Sequence, residues 1–164
     1  MANVTIEYVI LLPILLLQVI LFPVFVGWTM NIWVDARRTL ALEEIASYVG
    51  STIQQLYLAL SCDRSSTGVN VQNALNIPPY IEGSAYTGSA VVLQGSSPES
   101  SKVLHLTIKL ENSKVEVEYS ILLGLNAEWN ETSVFISNKN PCIAAERDAE
   151  TGIVKLYFIN AAEA

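Results

Sequence analysis

Between Tyr8 and Val34 the chain carries no charged residue, and from Asp35 onward the apolar positions settle into a helical stripe. At about 1.5 Å per residue the first stretch makes about 40 Å of helix, against about 30 Å of bilayer hydrocarbon. It is predicted to span a membrane or to pack in surroundings equally dry. In the second stretch Leu42, Ile45, Ala46, Val49, Ile53, Leu56, Tyr57 and Leu60 recur at three- and four-residue spacing, while Glu43, Glu44, Gln54 and Gln55 fall off the stripe. Such a face needs protein to pack against, outside the membrane. No proline lies between Pro23 and Pro78, so one helix is predicted over about residues 4–60, ending at Ser61-Cys62-Asp63. Pro13 and Pro23 interrupt its first half. Each removes a backbone hydrogen bond, and kinks or local melting are expected there.

After Asp63 the pattern changes. Residues 64–101 are rich in Ser, Gly, Thr and Asn, and read as loop with one short strand at Val91–Gln94. Val103–Glu111 then alternates with Leu104, Leu106, Ile108 and Leu110 on one face. Lys114–Ile121 alternates with Val115, Val117, Tyr119 and Ile121 on one face. A turn at Asn112-Ser113 sets Lys109 opposite Glu116, Glu111 opposite Lys114 and Leu110 opposite Val115, so one register satisfies both charge and burial. A second hairpin is predicted from Ile143 to Ile159, turning near Glu150-Thr151-Gly152, and Ser133–Ser137 adds a strand. The predicted fold class is α+β: one long N-terminal helix, apolar then amphipathic (1–61), followed by an antiparallel β-sheet domain (62–164) half covered by the upper helix.

The net charge of −7, with only nine scattered Lys and Arg, argues against a nucleic-acid partner. Cys62 and Cys142 lie far apart without CxxC spacing, and a single structural disulfide in an oxidising compartment is expected of them. Asn130-Glu-Thr132 is a glycosylation sequon pointing the same way. A second triplet, Asn3-Val-Thr5, belongs to the apolar segment and is expected unmodified. No Lys or Arg precedes Arg37, so an ordinary signal peptide with a basic n-region is missing. Either the apolar segment is a permanent anchor or a basic leader has been removed, and the second is preferred. It also reconciles Arg37-Arg38 with an external β domain, since positive-inside logic alone would hold them in the cytoplasm.

Little in the sequence suggests chemistry. The single histidine, His105, sits on the polar face of a predicted strand with no nucleophile or acid motif beside it. There is no phosphate-binding glycine loop and no metal-ligand spacing. No enzyme activity, cofactor or metal is expected. Within the apolar run, Gln18 is either a tolerated polar residue or an inter-subunit hydrogen-bonding group. Glu7, at its edge, is either a boundary carboxylate or one that needs a partner.

The segment Asn3-Val-Thr-Ile-Glu-Tyr-Val-Ile-Leu11 resembles the Gln-x-Ser-x-Glu-x-x-x-Leu signature of archaeal class III signal peptides, with Asn for Gln and Thr for Ser. Ile6-Glu-Tyr-Val-Ile-Leu-Leu-Pro13 also resembles the start of the tight-adherence pseudopilins. Both belong to the type IV-like pilins, and the likeness covers the N-terminal helix alone. It implies a subunit whose basic leader is cut by a prepilin peptidase. The subunit waits in the membrane, then is built by an assembly machinery into a helical homopolymer at the cell surface. It also implies that Glu7 neutralises the α-amine of a neighbouring subunit. Counting from Asn3 makes Glu7 fifth; a mature chain beginning at Met1, the preferred reading, makes it seventh. Glu7, Pro13, Gln18 and Pro23 are the candidate assembly residues. A minor or pseudopilin component of a secretion or tight-adherence machine, and a single-pass protein with a ligand-binding β ectodomain, are the alternatives.

Overall fold

The computed structural model describes residues 2–62, 70–93 and 101–160, with side chains from Leu11 onward. The fold is α+β, one long N-terminal helix followed by two four-stranded sheets. Helix α1 runs Ala2–Cys62 and is helical throughout, Pro13 and Pro23 included, so the local melting expected at the prolines does not occur. The chain divides into two compact units at Arg37/Arg38, within this helix. The break falls there because the stripe that joins the core begins at Leu42, above the charge-free run.

In the second unit the stripe is buried as its spacing demands. Leu42, Ala46, Val49 and Ile53 are fully inaccessible, Ile45, Leu56 and Leu60 nearly so, and Tyr57 is half-buried, while Glu43, Glu44, Gln54 and Gln55 face water. The strands are β1 (Asn70–Ala74), β2 (Tyr86–Leu93), β3 (Lys102–Leu110), β4 (Glu116–Leu123), β5 (Ala127–Trp129), β6 (Val134–Ile136), β7 (Pro141–Arg147) and β8 (Val154–Asn160). One sheet has the order β1-β7-β8-β5 and the other β4-β3-β2-β6. The single antiparallel sheet expected from the sequence is therefore two, and β5 pairs with β8 in parallel.

The β3–β4 register is the one that charge and burial specify together: Lys109 opposes Glu116, Ile108 opposes Val117, and the Leu110 N–H donates to the Val115 carbonyl at 3.1 Å. Leu104, Leu106, Ile108 and Leu110 are buried, as are Ile121 and Leu123 on the partner strand. Tyr119 departs from this pattern, being 37% exposed. Its ring lies over Gly50 of α1, where a β-carbon would stand 2.6 Å from Cε1, so the helix backbone occupies the depth its ring would otherwise fill. At the turn Asn112 takes a left-handed conformation, φ 60°. Asn112→Gly is therefore expected to be neutral or slightly stabilising, and Asn112→Val to cost about 1 kcal/mol. Urea unfolding midpoints check both.

The β7–β8 hairpin also matches its sequence reading, with Ile143 opposite Phe158 and the loop at 148–153. Asp148 holds that loop: its carboxylate accepts from the Glu150 N–H at 3.1 Å and the Thr151 hydroxyl at 2.8 Å. The Glu150 bond first, then Thr151, depress its pKa below the usual 3.8. A depressed folded pKa stabilises fully above the unfolded value and is lost as pH falls through the folded one. Asp148→Asn is thus expected to lower stability slightly at neutral pH and to match the wild type at the acid end, flattening the limb below about pH 4. The effect is small because Asp148 is solvent-exposed. Thermal melts across that range read it.

The sequence reading missed β1, β5 and the first half of β2. In β2 the inward positions are Tyr86, Gly88 and Ala90, and the small residues make room for Phe135 from β6. A Thr-Gly-Ser-Ala run reads locally as loop; only the facing ring makes it a strand. Gln94, expected at the end of that strand, lies outside the described residues. The sheets share one core through Phe135, Phe158 and Trp129, whose rings meet edge to face at 4.9 and 4.8 Å. Asn160, buried at the end of β8, clamps the sheets: its Oδ1 accepts from Ile136 N–H and its Nδ2 donates to the Val134 carbonyl, each at 3.0 Å.

Candidate functional site

The feature that calls for a function is the apolar half of α1. Leu11, Leu12, Ile14–Leu17, Val19–Phe22, Val24 and Phe25 are all at least 55% exposed, and no residue in the most apolar eighteen is buried. Soluble monomers rarely present continuous apolar patches beyond a few hundred Å². From Leu11 to Trp33, at about 1.5 Å per residue, the surface extends about 34 Å, a close match to about 30 Å of hydrocarbon. This helix is long and apolar enough to cross a membrane, and is compatible with a membrane anchor.

Its C-terminal end has the chemistry of a bilayer boundary. Trp28 and Trp33 are exposed, and the Arg37 guanidinium lies over the Trp33 ring, 4.9 Å from its centroid. Indoles favour the headgroup level, and an arginine above one keeps its charge in water while its stem covers apolar surface. Thr29 hides its hydroxyl by donating to the Phe25 carbonyl at 2.9 Å, the way a polar side chain survives in an apolar medium. The sequence reading treated Arg37-Arg38 as a pair. They part company here: Arg37 lies on Trp33, whereas Arg38 Nε bonds Glu82 Oε2 at 2.9 Å. The Trp33–Arg37 spacing of four residues, one helical turn, was the signal that could have found it.

The candidate assembly residues fall on this helix. Glu7 is in the helix, but its side chain lies outside the described residues. Pro13 and Pro23 are interior to it. Gln18 and Pro23 come together with Leu15, Val19 and Phe22 along a shallow groove of about 430 Å³.

The expected Cys62–Cys142 disulfide is not formed; both cysteines are free. Topology gives the reason. The Leu60 carbonyl, at the end of α1, accepts from Arg147 Nη1 at 3.0 Å, which sets Cys62 toward the Arg147 end of β7. Cys142 is five residues back along that strand, about 16 Å from Arg147, whereas a disulfide needs its α-carbons within roughly 7 Å of each other. Its Sγ instead lies 3.7 Å from the Asn140 carbonyl. With the bond goes the argument from cysteines for an oxidising compartment.

Asn130 is exposed just past β5. Its Oδ1 accepts from the Thr132 N–H at 3.2 Å and the Thr132 hydroxyl at 2.7 Å, closing the sequon into a compact Asx turn. His105 stands half-buried on the outer face of β3, between Val91 and Ser120. Among the described residues no group of three or more His, Cys, Asp or Glu is placed to hold a metal. Tyr86, buried and donating to the Pro78 carbonyl at 2.6 Å, has its phenol pKa raised by desolvation. A cleft of about 320 Å³ between α1 and the 76–81 segment is lined mainly by apolar groups, with Glu44 its one carboxylate. No protein-family model, curated protein or solved structure matches this chain.

Proposed function

We propose that this chain is a non-enzymatic structural subunit that polymerises through its apolar helix into a type IV-like filament at the cell surface. The observation that carries the proposal is the fully exposed, charge-free helix ahead of a well-packed α+β unit. Residues 11–33 bury nothing of their own, and the core of the second unit is complete without them. In this reading the helix rests in the bilayer before assembly, with Trp33 and Arg37 at its outer boundary. In the filament it exchanges lipid for neighbouring helices, and the sheets tile the exterior. The N-terminal residues Asn3 to Leu11, which resemble the processing and assembly signature of the pilins, support the same reading. So do prolines and a glutamine within the span, which suit a helix with neighbours better than a solitary one.

Glu7 carries the assembly step that the resemblance implies, neutralising a neighbour's α-amine as the subunit leaves the membrane. A carboxylate in an apolar medium is costly unless paired, so its partner would be supplied on docking. Glu7→Ala and Glu7→Gln are both expected to insert normally in the membrane and to assemble poorly, with filament yield down at least tenfold. Electron microscopy of sheared surface material, set against subunit in the membrane fraction, measures it. Wild-type yields from both variants would reduce Glu7 to a boundary residue, and a wild type that forms no filaments favours the single-span alternative. Intact-mass measurement of the same material reports whether Asn130 carries a glycan.

A further inference from the structure

The groove beside Pro23 contains a backbone acceptor that has lost its usual donor. Pro23 has no N–H, so the Val19 carbonyl, which would otherwise receive it one turn on, is left without that bond although the helix continues. Hydrocarbon cannot replace it, and an unsatisfied carbonyl in lipid is costly. Of the residues lining the groove, Leu15, Gln18, Val19, Phe22 and Pro23, only Gln18 has a side-chain donor. It cannot serve its own Val19. Helical side chains lean toward the N-terminus while carbonyls point toward the C-terminus, so the amide is carried away from the oxygen beside it in sequence.

We infer that the Gln18 amide of one copy donates to the Val19 carbonyl of the next, with the groove seating a second copy of this helix. In parallel copies the amide reaches that oxygen when the donor is shifted toward the C-terminal end by about one helical turn, ~5 Å. Leu15 and Phe22, a turn below and a turn above, then close over the bond and exclude lipid. The stagger has a consequence for assembly. A copy that donates upstream and accepts downstream makes a heterologous contact, which extends into an open helical array instead of closing as a two-fold dimer. The occupant is identified by this complementarity: the groove offers one donor and one orphan acceptor that satisfy each other only between copies. The inference rests on the homopolymer reading and gives it an atomic contact.

The test is a double-mutant cycle on the full chain in phosphatidylcholine vesicles. Donor and acceptor dyes are placed on the exposed Cys62 in a Cys142→Ser background, and energy transfer is followed as the lipid ratio rises. Gln18→Leu inserts at least as well as wild type and is expected to weaken self-association roughly three- to tenfold. Pro23→Ala returns an intrahelical donor to Val19, so in that background Gln18→Leu is expected to change association by less than about twofold. Equal losses in both backgrounds, or no loss in either, would overturn the pairing while leaving homotypic packing intact. A wild-type chain whose transfer falls to the level of random dilution would overturn the pairing and the homopolymer together. Loss of transfer only on adding an unrelated single-span helix would assign the groove to a different partner and also overturn it.

Discussion

Leu16→Asp or Val24→Asp is expected to abolish filaments while leaving the second unit folded. Both residues are more than half exposed in the charge-free run, at 55% and 68%. An aspartate near the centre of a membrane-spanning helix costs about 3 kcal/mol, and removing the apolar side chain adds to that. In a polymer the penalty recurs at every subunit, so a modest loss per contact becomes a large loss of length. The buried core begins at Leu42, so neither change touches it. Electron microscopy reads the filaments; far-ultraviolet circular dichroism and protease resistance of the extracted chain read the fold. Normal filaments from either variant would remove the 8–34 segment from the contact core.

The largest effect on the fold is expected from Gly88→Ala. Gly88 lies in the middle of β2, paired with Ile108 on one side and Phe135 on the other. A β-carbon there would overlap the Phe135 ring, 2.8 Å from Cδ1 and closer still to Cε1 and Cζ. The ring cannot retreat: Phe135 is fully buried, with Tyr86 edge-on at 6.3 Å and Phe158 at 4.9 Å. Overpacking of this kind costs about 3 kcal/mol, a large share of a stability of about 5–15 kcal/mol. Phe135→Leu in the same background should recover part of the loss, although Phe135→Leu alone destabilises by leaving a void. Urea unfolding of the four variants measures the coupling. Additive losses would show that the ring does not lie against Gly88.

Asn160 and Gly88 illustrate what a local reading misses. Asn160 looks like a polar strand end, yet its amide completes the hydrogen bonding of β6, 24 and 26 residues away in sequence. Gly88 looks like a loop glycine, yet it is the floor of an aromatic cluster. The cysteines failed for the same reason. Their spacing allowed a bond, and only the hydrogen bond from Arg147 to the end of α1 shows that Cys62 lies toward the end of β7 opposite to Cys142.

Elements whose partners are near in the chain or recur with a period can be read from the residues alone. The helical stripe from Leu42 to Leu60 follows from a 3.6-residue repeat, and the β3–β4 register from alternation coinciding with charge pairs across one turn. The β7–β8 hairpin follows from two apolar runs about a glycine turn. The apolar helix was equally legible, because absence of charge over 27 residues needs no partner to interpret. Folding alone reveals how the strands divide into two sheets, that β5 runs parallel to β8, and that Arg37 and Arg38 face different partners. It also brought Gln18 and Pro23 into one groove. These depend on which distant side chain fills which space, and packing of that kind leaves no period in the chain to read.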